Sequence, residues 1–225
     1  FGKEFYEAEK ARLRPEEFAR RYMGEFRKMV GLVYDLPGEQ IIDLWPVTIK
    51  TEARIMGVDW GFRKPASIAV CYLRDNEWFI QDEWKQSERT TAEIIQVAKN
   101  KLIEHKVTRL YPDPAEPDRI EECRRAGLPV MESNKDIKGG VSYIQQLIRE
   151  KRFWVAKTCK ETIDEMSMYH YPEPQEDKPE KDEPEKFNDH LMDAIRYAIY
   201  SFTPISPAWN KASGAIKPYY PELGL

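Results

Sequence analysis

Three stretches of this sequence hold carboxylates at positions where they could do chemistry. Asp59 ends the apolar run Ile55-Met56-Gly57-Val58 and precedes a turn marked by Gly61, after which a second apolar run begins at Ala66. An ionised carboxylate where a buried strand meets a turn is costly unless a cation or a hydrogen-bond donor meets it. Asp59 is therefore either a turn former or half of a site. Asp113 directly follows the short run Arg109-Leu110-Tyr111-Pro112 and is held between Pro112 and Pro114, which fix the backbone where the strand ends. The third stretch, Asp189-His190-Leu191-Met192-Asp193-Ala194, reads as helix. There Asp189 and Asp193, four apart, and His190 and Asp193, three apart, are surface neighbours. Carboxylates gathered in one place repel one another, at about 4 kcal/mol per pair for a 4 Å separation and an effective dielectric near 20. Such a cluster reads as a cation site. Oxygen donors without thiolates or paired His favour Mg²⁺ or Mn²⁺ over zinc. Two such ions roughly 3.5–4 Å apart can activate water and stabilise the leaving oxygen in a phosphodiester displacement.

The elements that must bring these residues together follow from periodicity. Runs 54–59, 66–73 and 77–84 read as three consecutive strands, the last two joined by the turn Arg74-Asp75-Asn76, and an antiparallel meander is expected. Residues 90–105 make an amphipathic helix with Thr90 or Thr91 as cap. A strand over 108–111, a helix over 117–126 closed by Gly127, and a strand over 129–131 come next. They are followed by a helix over 141–150 starting after Gly139-Gly140, a strand over 153–155 and a helix over 161–168. A final helix over 188–202 has Asn188 or Asp189 as cap and Leu191, Ile195, Ala198, Ile199 and Phe202 as its apolar stripe. A meander followed by alternating helices and strands predicts an α/β fold with one mixed sheet flanked by helices. If the strand before Asp113 lies parallel to and beside the strand of Asp59, both carboxylates emerge at the same edge of the sheet.

Residues 1 to about 35 read as helical, and 41–50 as an extended connector holding Trp45-Pro46, so 1–50 is expected to be an appendage or interdomain segment. The stretch 171–187, with Pro172, Pro174, Pro179 and Pro184, is neither helix nor central strand and reads as a solvated arm. Residues 204–225 form a tail.

A net charge of −4 argues at first sight against a nucleic-acid partner. However, residues 173–186 contain seven acidic residues and three Lys, and the rest of the chain is balanced. A local basic groove is therefore compatible with the total. Lys135 and Lys138, before Gly139-Gly140 and a helix start, are candidates for a phosphate seat, as are Arg63 and Lys64 in the turn next to Asp59. Cys71, Cys123 and Cys159 are isolated, odd in number and without CxxC spacing, which fits a reducing compartment better than a disulfide framework. No apolar run is long enough for a membrane span, and the chain opens without a signal peptide. The Phe1 start fits a piece of a longer polypeptide.

The ordered set Gly57-Val58-Asp59-Trp60-Gly61, Tyr111-Pro112-Asp113-Pro114 and Asp189-His190-Leu191-Met192-Asp193-Ala194-Ile195-Arg196-Tyr197-Ala198 resembles the nuclease domain of a tailed-bacteriophage terminase large subunit. The resemblance covers about residues 50–203. It implies the RNase H-like fold shared with retroviral integrases and Holliday-junction resolvases, and a Mg²⁺- or Mn²⁺-dependent endonuclease holding one or two ions. It also implies an activity: cutting double-stranded concatemeric viral DNA, with little sequence preference, during genome packaging. Carried over by position, Asp59 is the first-strand metal ligand, Asp113 the ligand after the fourth strand and Asp193 the ligand on the last helix. His190 lies beside the metal, and Asp189 is a further ligand or the helix cap. Residues 1–50 are similar to the segment that follows the packaging ATPase in that family.

The partners implied are double-stranded DNA and, in a full-length protein, an N-terminal packaging ATPase, the portal and the small terminase subunit. The expected location is the host cytoplasm during phage assembly. No GxxxxGK[ST] occurs, so the chain as given carries no P-loop ATPase. Val58-Asp59-Trp60-Gly61 also resembles the first phosphate loop of sugar kinases and actin-like proteins, but their second Asp-Gly phosphate motif is missing. A catalytically silent RNase H-like assembly or DNA-binding domain, and a resolvase-type nuclease, are the remaining alternatives.

Overall fold

The computed structural model describes residues 31–172 and 183–202. Of the helical stretch expected over residues 1 to about 35, only 31–35 are described and they are not helical, Leu32 bridging His170. The rest of it, most of the acidic arm and the C-terminal tail lie outside the described residues. The elements in chain order are a 3₁₀ turn Gly38–Gln40, β1 Ile41–Ile42, β2 Ala53–Asp59, β3 Ala66–Arg74, β4 Glu77–Gln86, α1 Thr91–His105 and β5 Arg109–Pro112. They continue with α2 Pro117–Arg125, α3 Ile137–Arg149, β6 Phe153–Ala156, α4 Lys160–Met168 and α5 His190–Ser201. One six-stranded sheet has the order β1-β6-β4-β3-β2-β5. β2, β3 and β4 form the expected antiparallel meander. β5 runs parallel to β2, β6 parallel to β4 and β1 parallel to β6.

Local chemistry explains most of these boundaries. Asp75 and Asn76 have φ of 52° and 65°, the left-handed pair that a two-residue type I′ hairpin requires. Thr90 and Glu93 close a full capping box on α1. Along β2 the two-residue period sends Ile55 to one face of the sheet and Met56 and Val58 to the other, so each face has its own core. α3, α4 and α5 cover the first face and α1 the second. A bulge in β4 where Val70 pairs with Asp82 and Cys71 with Ile80 shifts the phase of that strand. It leaves Glu83 and Lys85 on the α5 side and Asp82 on the α1 side.

Three further expectations need correction. Residues 129–131 form no strand: Val130 makes an isolated bridge to Leu110, beside Pro129, which has no N–H to donate. Ile41 and Ile42, read as connector, are an edge strand, too short to show a period. α3 begins at Ile137, before the glycine pair, because the Asp136 side chain accepts the Gly139 N–H at 3.1 Å. Gly139-Gly140 is thus part of the first helical turn, and it is the contact with α5. A Cβ on Gly140 would come 2.6 Å from Arg196 Cγ, and one on Gly139 would come 2.3 Å from the Tyr200 hydroxyl.

Candidate metal centre

Asp59 is the last residue of β2, and its partner strand β5 ends opposite it, with Val58 paired to Pro112. The parallel pairing continues one step further through the Asp113 N–H, which donates to the Val58 carbonyl at 2.7 Å. Asp59 and Asp113 therefore leave the same edge of the sheet side by side. Asp113 is further fixed by the Trp60 indole N–H donating to its carbonyl at 3.1 Å and by its own Oδ1 accepting from Ala115 N at 3.0 Å.

α5 lies across β2, and its first turn brings His190 and Asp193 to that edge. His190 Nδ1 and Asp59 Oδ2 are 2.9 Å apart. Asp193 Oδ1 accepts from Arg196 Nη2 at 2.7 Å. The close approach of helix and strand depends on Gly57, whose Cα faces the Ala194 backbone.

The electrostatics follow from burial. Asp59 is only 8 % exposed. Burial pushes its carboxyl up to about 6; the His190 hydrogen bond opposes this, and the charges of Asp193 and Asp113 add to it. Asp193 is also raised, first by burial and then by Asp189 and Asp113, against the pull of Arg196. Burial disfavours the His190 imidazolium, but the Asp59 hydrogen bond and charge outweigh it and raise that group. Asp59 and Asp193 are thus each opposed by the negative charge of neighbouring carboxylates. A hard divalent cation would relieve that repulsion, and the all-oxygen donor set of Asp59, Asp113 and Asp193 fits one.

The remaining sequence candidates are placed as follows. Asp189 makes no side-chain cap bond to α5, although its charge acts on Asp193 and His190. Its carbonyl accepts the Asp193 N–H at 2.8 Å. Arg63 and Lys64 are exposed in the β2–β3 turn beside Asp59. Lys135 and Lys138 are exposed around the start of α3, but the Asp136 carboxylate occupies that helix's cap position. The α3 terminus packs beside Arg196 and Tyr200 of α5.

Arg196 has the clearest structural role of those to which the sequence assigned none. It is 2 % exposed, its Nε and Nη1 have no hydrogen-bond partner among the described residues, and its guanidinium lies over the Tyr197 ring at 4.5 Å. Its signal was a single cation three residues after Asp193 in an otherwise apolar helix.

Among the described residues, the group whose ligand atoms all lie within 4.8 Å of one another is a different one: Asp82, Glu104 and His105. It already has its cation. Asp82 Oδ2 receives Lys101 Nζ and lies 2.9 Å from His105 Nε2, while Tyr72 Oη lies 2.9 Å from His105 Nδ1. This network clamps α1 onto β3 and β4. Burial disfavours the Asp82 charge, but the His105 and Lys101 hydrogen bonds outweigh it and lower the group to about 2. A depressed carboxylate stabilises the fold above its unfolded value and loses that effect as pH falls through the folded one. Asp82→Asn is therefore expected to cost about 2 kcal/mol at neutral pH, with the gap to the parent closing between about pH 4 and 2 in urea titrations. Mn²⁺ affinity should be unchanged.

The profile of the family described as "Terminase RNaseH-like domain" matches residues 56–202. The chain belongs to that family. It is 27 % identical over 157 residues to the terminase large subunit of Escherichia phage T5, an alignment covering 66 % of this chain and 35 % of that protein. The chain thus spans about a third of the length of this curated relative. The large terminase of a thermophilic bacteriophage superposes with a TM-score of 0.66 at 23 % identity, covering 88 % of this chain and 51 % of that one. The large-terminase nuclease domain of bacteriophage SPP1, solved with bound Mn, superposes with a TM-score of 0.62 at 16 % identity, covering 76 % of this chain and 98 % of that one. The mixed sheet flanked by helices is accordingly the RNase H-like fold of terminase nucleases. The actin-like alternative falls with that assignment.

Proposed function

We propose that this chain is a Mg²⁺- or Mn²⁺-dependent endonuclease that cuts double-stranded concatemeric viral DNA with little sequence preference during genome packaging. The observation that carries the reading is that Asp59 and Asp113 leave one sheet edge side by side, with His190 2.9 Å from Asp59 and the charge of Asp193 acting on Asp59. Asp59, Asp113 and Asp193 would hold one or two ions, with Asp189 as a further donor. Bound there, the ions would supply an activated water and stabilise the leaving oxygen. His190 holds the Asp59 carboxylate in place through Nδ1. Arg196 holds Asp193. Arg63, Lys64, Lys135 and Lys138 are suited to phosphate contacts, which position a duplex without reading its sequence. In a full-length protein an N-terminal packaging ATPase, the portal and the small terminase subunit would be its partners, in the host cytoplasm.

The test is cleavage of supercoiled plasmid in Mn²⁺, Mg²⁺ or EDTA by this chain and by Asp59→Ala. Metal-dependent nicking and linearisation, reduced at least about a thousandfold in the variant, is the expected result for removing a metal ligand. No cleavage with either metal would turn the reading toward a silent assembly domain.

A further inference from the structure

Asp59, Ser67 and Lys85 form one cross-strand row: Asp59 pairs with Ser67 and Ser67 with Lys85. Each is directed at the start of α5. Asp59 meets the His190 ring at 2.9 Å, Ser67 Oγ donates to the His190 carbonyl at 2.8 Å, and Lys85 Nζ donates to Asn188 Oδ1 at 2.8 Å. Lys85 also pairs with Glu165 Oε1 at 2.7 Å. Glu165, on α4, is fully buried, and its Oε2 accepts from the N–H groups of Leu191 and Met192 at 2.8 and 3.2 Å.

These amides are among the four that the first turn of a helix leaves without an intrahelical acceptor. A side chain of the capping residue ordinarily takes one of them, yet Asp189 takes none. The acceptor comes instead from another helix, and its carboxylate sits at the positive end of the α5 dipole. α4 is itself seated from the same strand: Glu83 accepts from Glu161 N, Thr162 N and Thr162 Oγ1 at 2.9, 2.8 and 2.7 Å.

We propose that Glu165, held by Lys85, and Ser67 are positioning residues that fix the first turn of α5, and so set where Asp189, His190 and Asp193 stand relative to Asp59 and Asp113. The proposal deepens the metal-centre reading and rests on it for its consequence. A charge pair buried this way adds little to stability by itself; its effect here is on geometry. Glu165 Oε2 takes the two amides and Oε1 lies in an ion pair 2.7 Å from Lys85 Nζ, so the carboxylate is committed to the start of α5.

The decisive comparison is Lys85→Met/Glu165→Gln against Lys85→Met/Glu165→Met. Both pairs remove both charges and keep similar volumes. Only the first retains an oxygen for Leu191 and Met192. Amide hydrogen exchange in EDTA should accelerate at least tenfold at Leu191 and Met192 in the Met pair and less than threefold in the Gln pair. Mn²⁺ affinity by calorimetry should fall at least tenfold in the Met pair and no more than about threefold in the Gln pair. Equal exchange and equal Mn²⁺ affinity in two folded pairs with similar Tm would overturn the proposal.

Should the Met pair fail to fold, Ser67→Ala decides. Its Mn²⁺ affinity should drop at least threefold with Tm little changed, and an unchanged affinity overturns the proposal. A parent chain that binds Mn²⁺ without cutting DNA sinks the nuclease reading and leaves this comparison intact. The exchange arm needs no metal at all.

Discussion

Gly57→Ala is expected to lower plasmid cleavage by at least about a hundredfold and to destabilise the fold by about 3 kcal/mol, both effects coming from a single methyl group. The added Cβ would lie 1.8 Å from the Ala194 carbonyl oxygen, 2.7 Å from its carbon and 3.1 Å from Ala198 Cβ. Two of these atoms are backbone in the middle of a helix, so no side-chain rotation relieves the overlap. β2 and α5 must separate by about an ångström or more to reach ordinary contact. Asp59 rides on one and His190 and Asp193 on the other, so the separation opens the proposed metal centre directly. Misplacement of about 1 Å at a reacting centre is enough for a hundredfold loss. Gly38→Ala is the control, because nothing lies within 4 Å of its Cβ. Circular dichroism and urea denaturation measure the fold, and the plasmid assay measures the centre. A Gly57→Ala protein with parental cleavage would mean that α5 and β2 are not held in the register described.

The same glycine shows what could be read from sequence alone. Asp59 and Asp113 were legible because each follows an apolar run at a turn, and the chemistry of a buried carboxylate makes such a place conspicuous. His190 and Asp193 were legible from helical spacing and from the resemblance of the ordered motifs. What holds them was harder to see, because it depends on pairing between distant strands. Lys85 looks like an ordinary polar residue near a strand end, and only the register of three strands puts it in line with Asp59 and Ser67.

Glu165 looks like part of a solvated helix face. Its signal was its place on the buried stripe of α4 with Thr162 and Met166. The glycine pair at 139–140 misled, since glycine before an apolar period suggests a helix start. Here it leaves room for Arg196 and Tyr200 of α5. The phase of β4 could not be followed by alternation either, because the bulge resets it halfway along the strand.

The two carboxylates of the centre should answer differently when their charge is removed, although both removals abolish metal-dependent cleavage on the proposed reading. Asp193 is matched by Arg196, a guanidinium that is 2 % exposed, has two nitrogens without a hydrogen-bond partner among the described residues and lies over the Tyr197 ring. The Asp193 carboxyl is raised too, burial outweighing Arg196, but Asp193→Asn also leaves that cation buried without its carboxylate, a loss expected to dominate at about 3 kcal/mol. Among the described residues Asp59 pairs with no guanidinium or ammonium: its partner is His190, and burial holds its carboxyl up near 6, against 3.8 for the ordinary group. For an acid raised in the folded state, the charged form is penalised by folding. The penalty is complete above about pH 6, falls as pH drops from 6 to 3.8, and is gone only below that, where both states are protonated.

In EDTA, therefore, Asp59→Asn should be more stable than the parent at pH 8, by about 2 kcal/mol, and most of the gain should be lost by about pH 4. Asp193→Asn should be less stable than the parent at pH 8. Urea titrations of the three proteins at the two pH values measure both. Added Mn²⁺ should stabilise the parent and neither variant, because a cation bound to the folded state alone shifts the folding equilibrium by mass action. Two variants that lost stability equally would mean that Arg196 does not single out Asp193. The asymmetry separates Asp59, whose charge burial opposes and His190 alone meets, from Asp193, which burial also raises but whose removal strands Arg196.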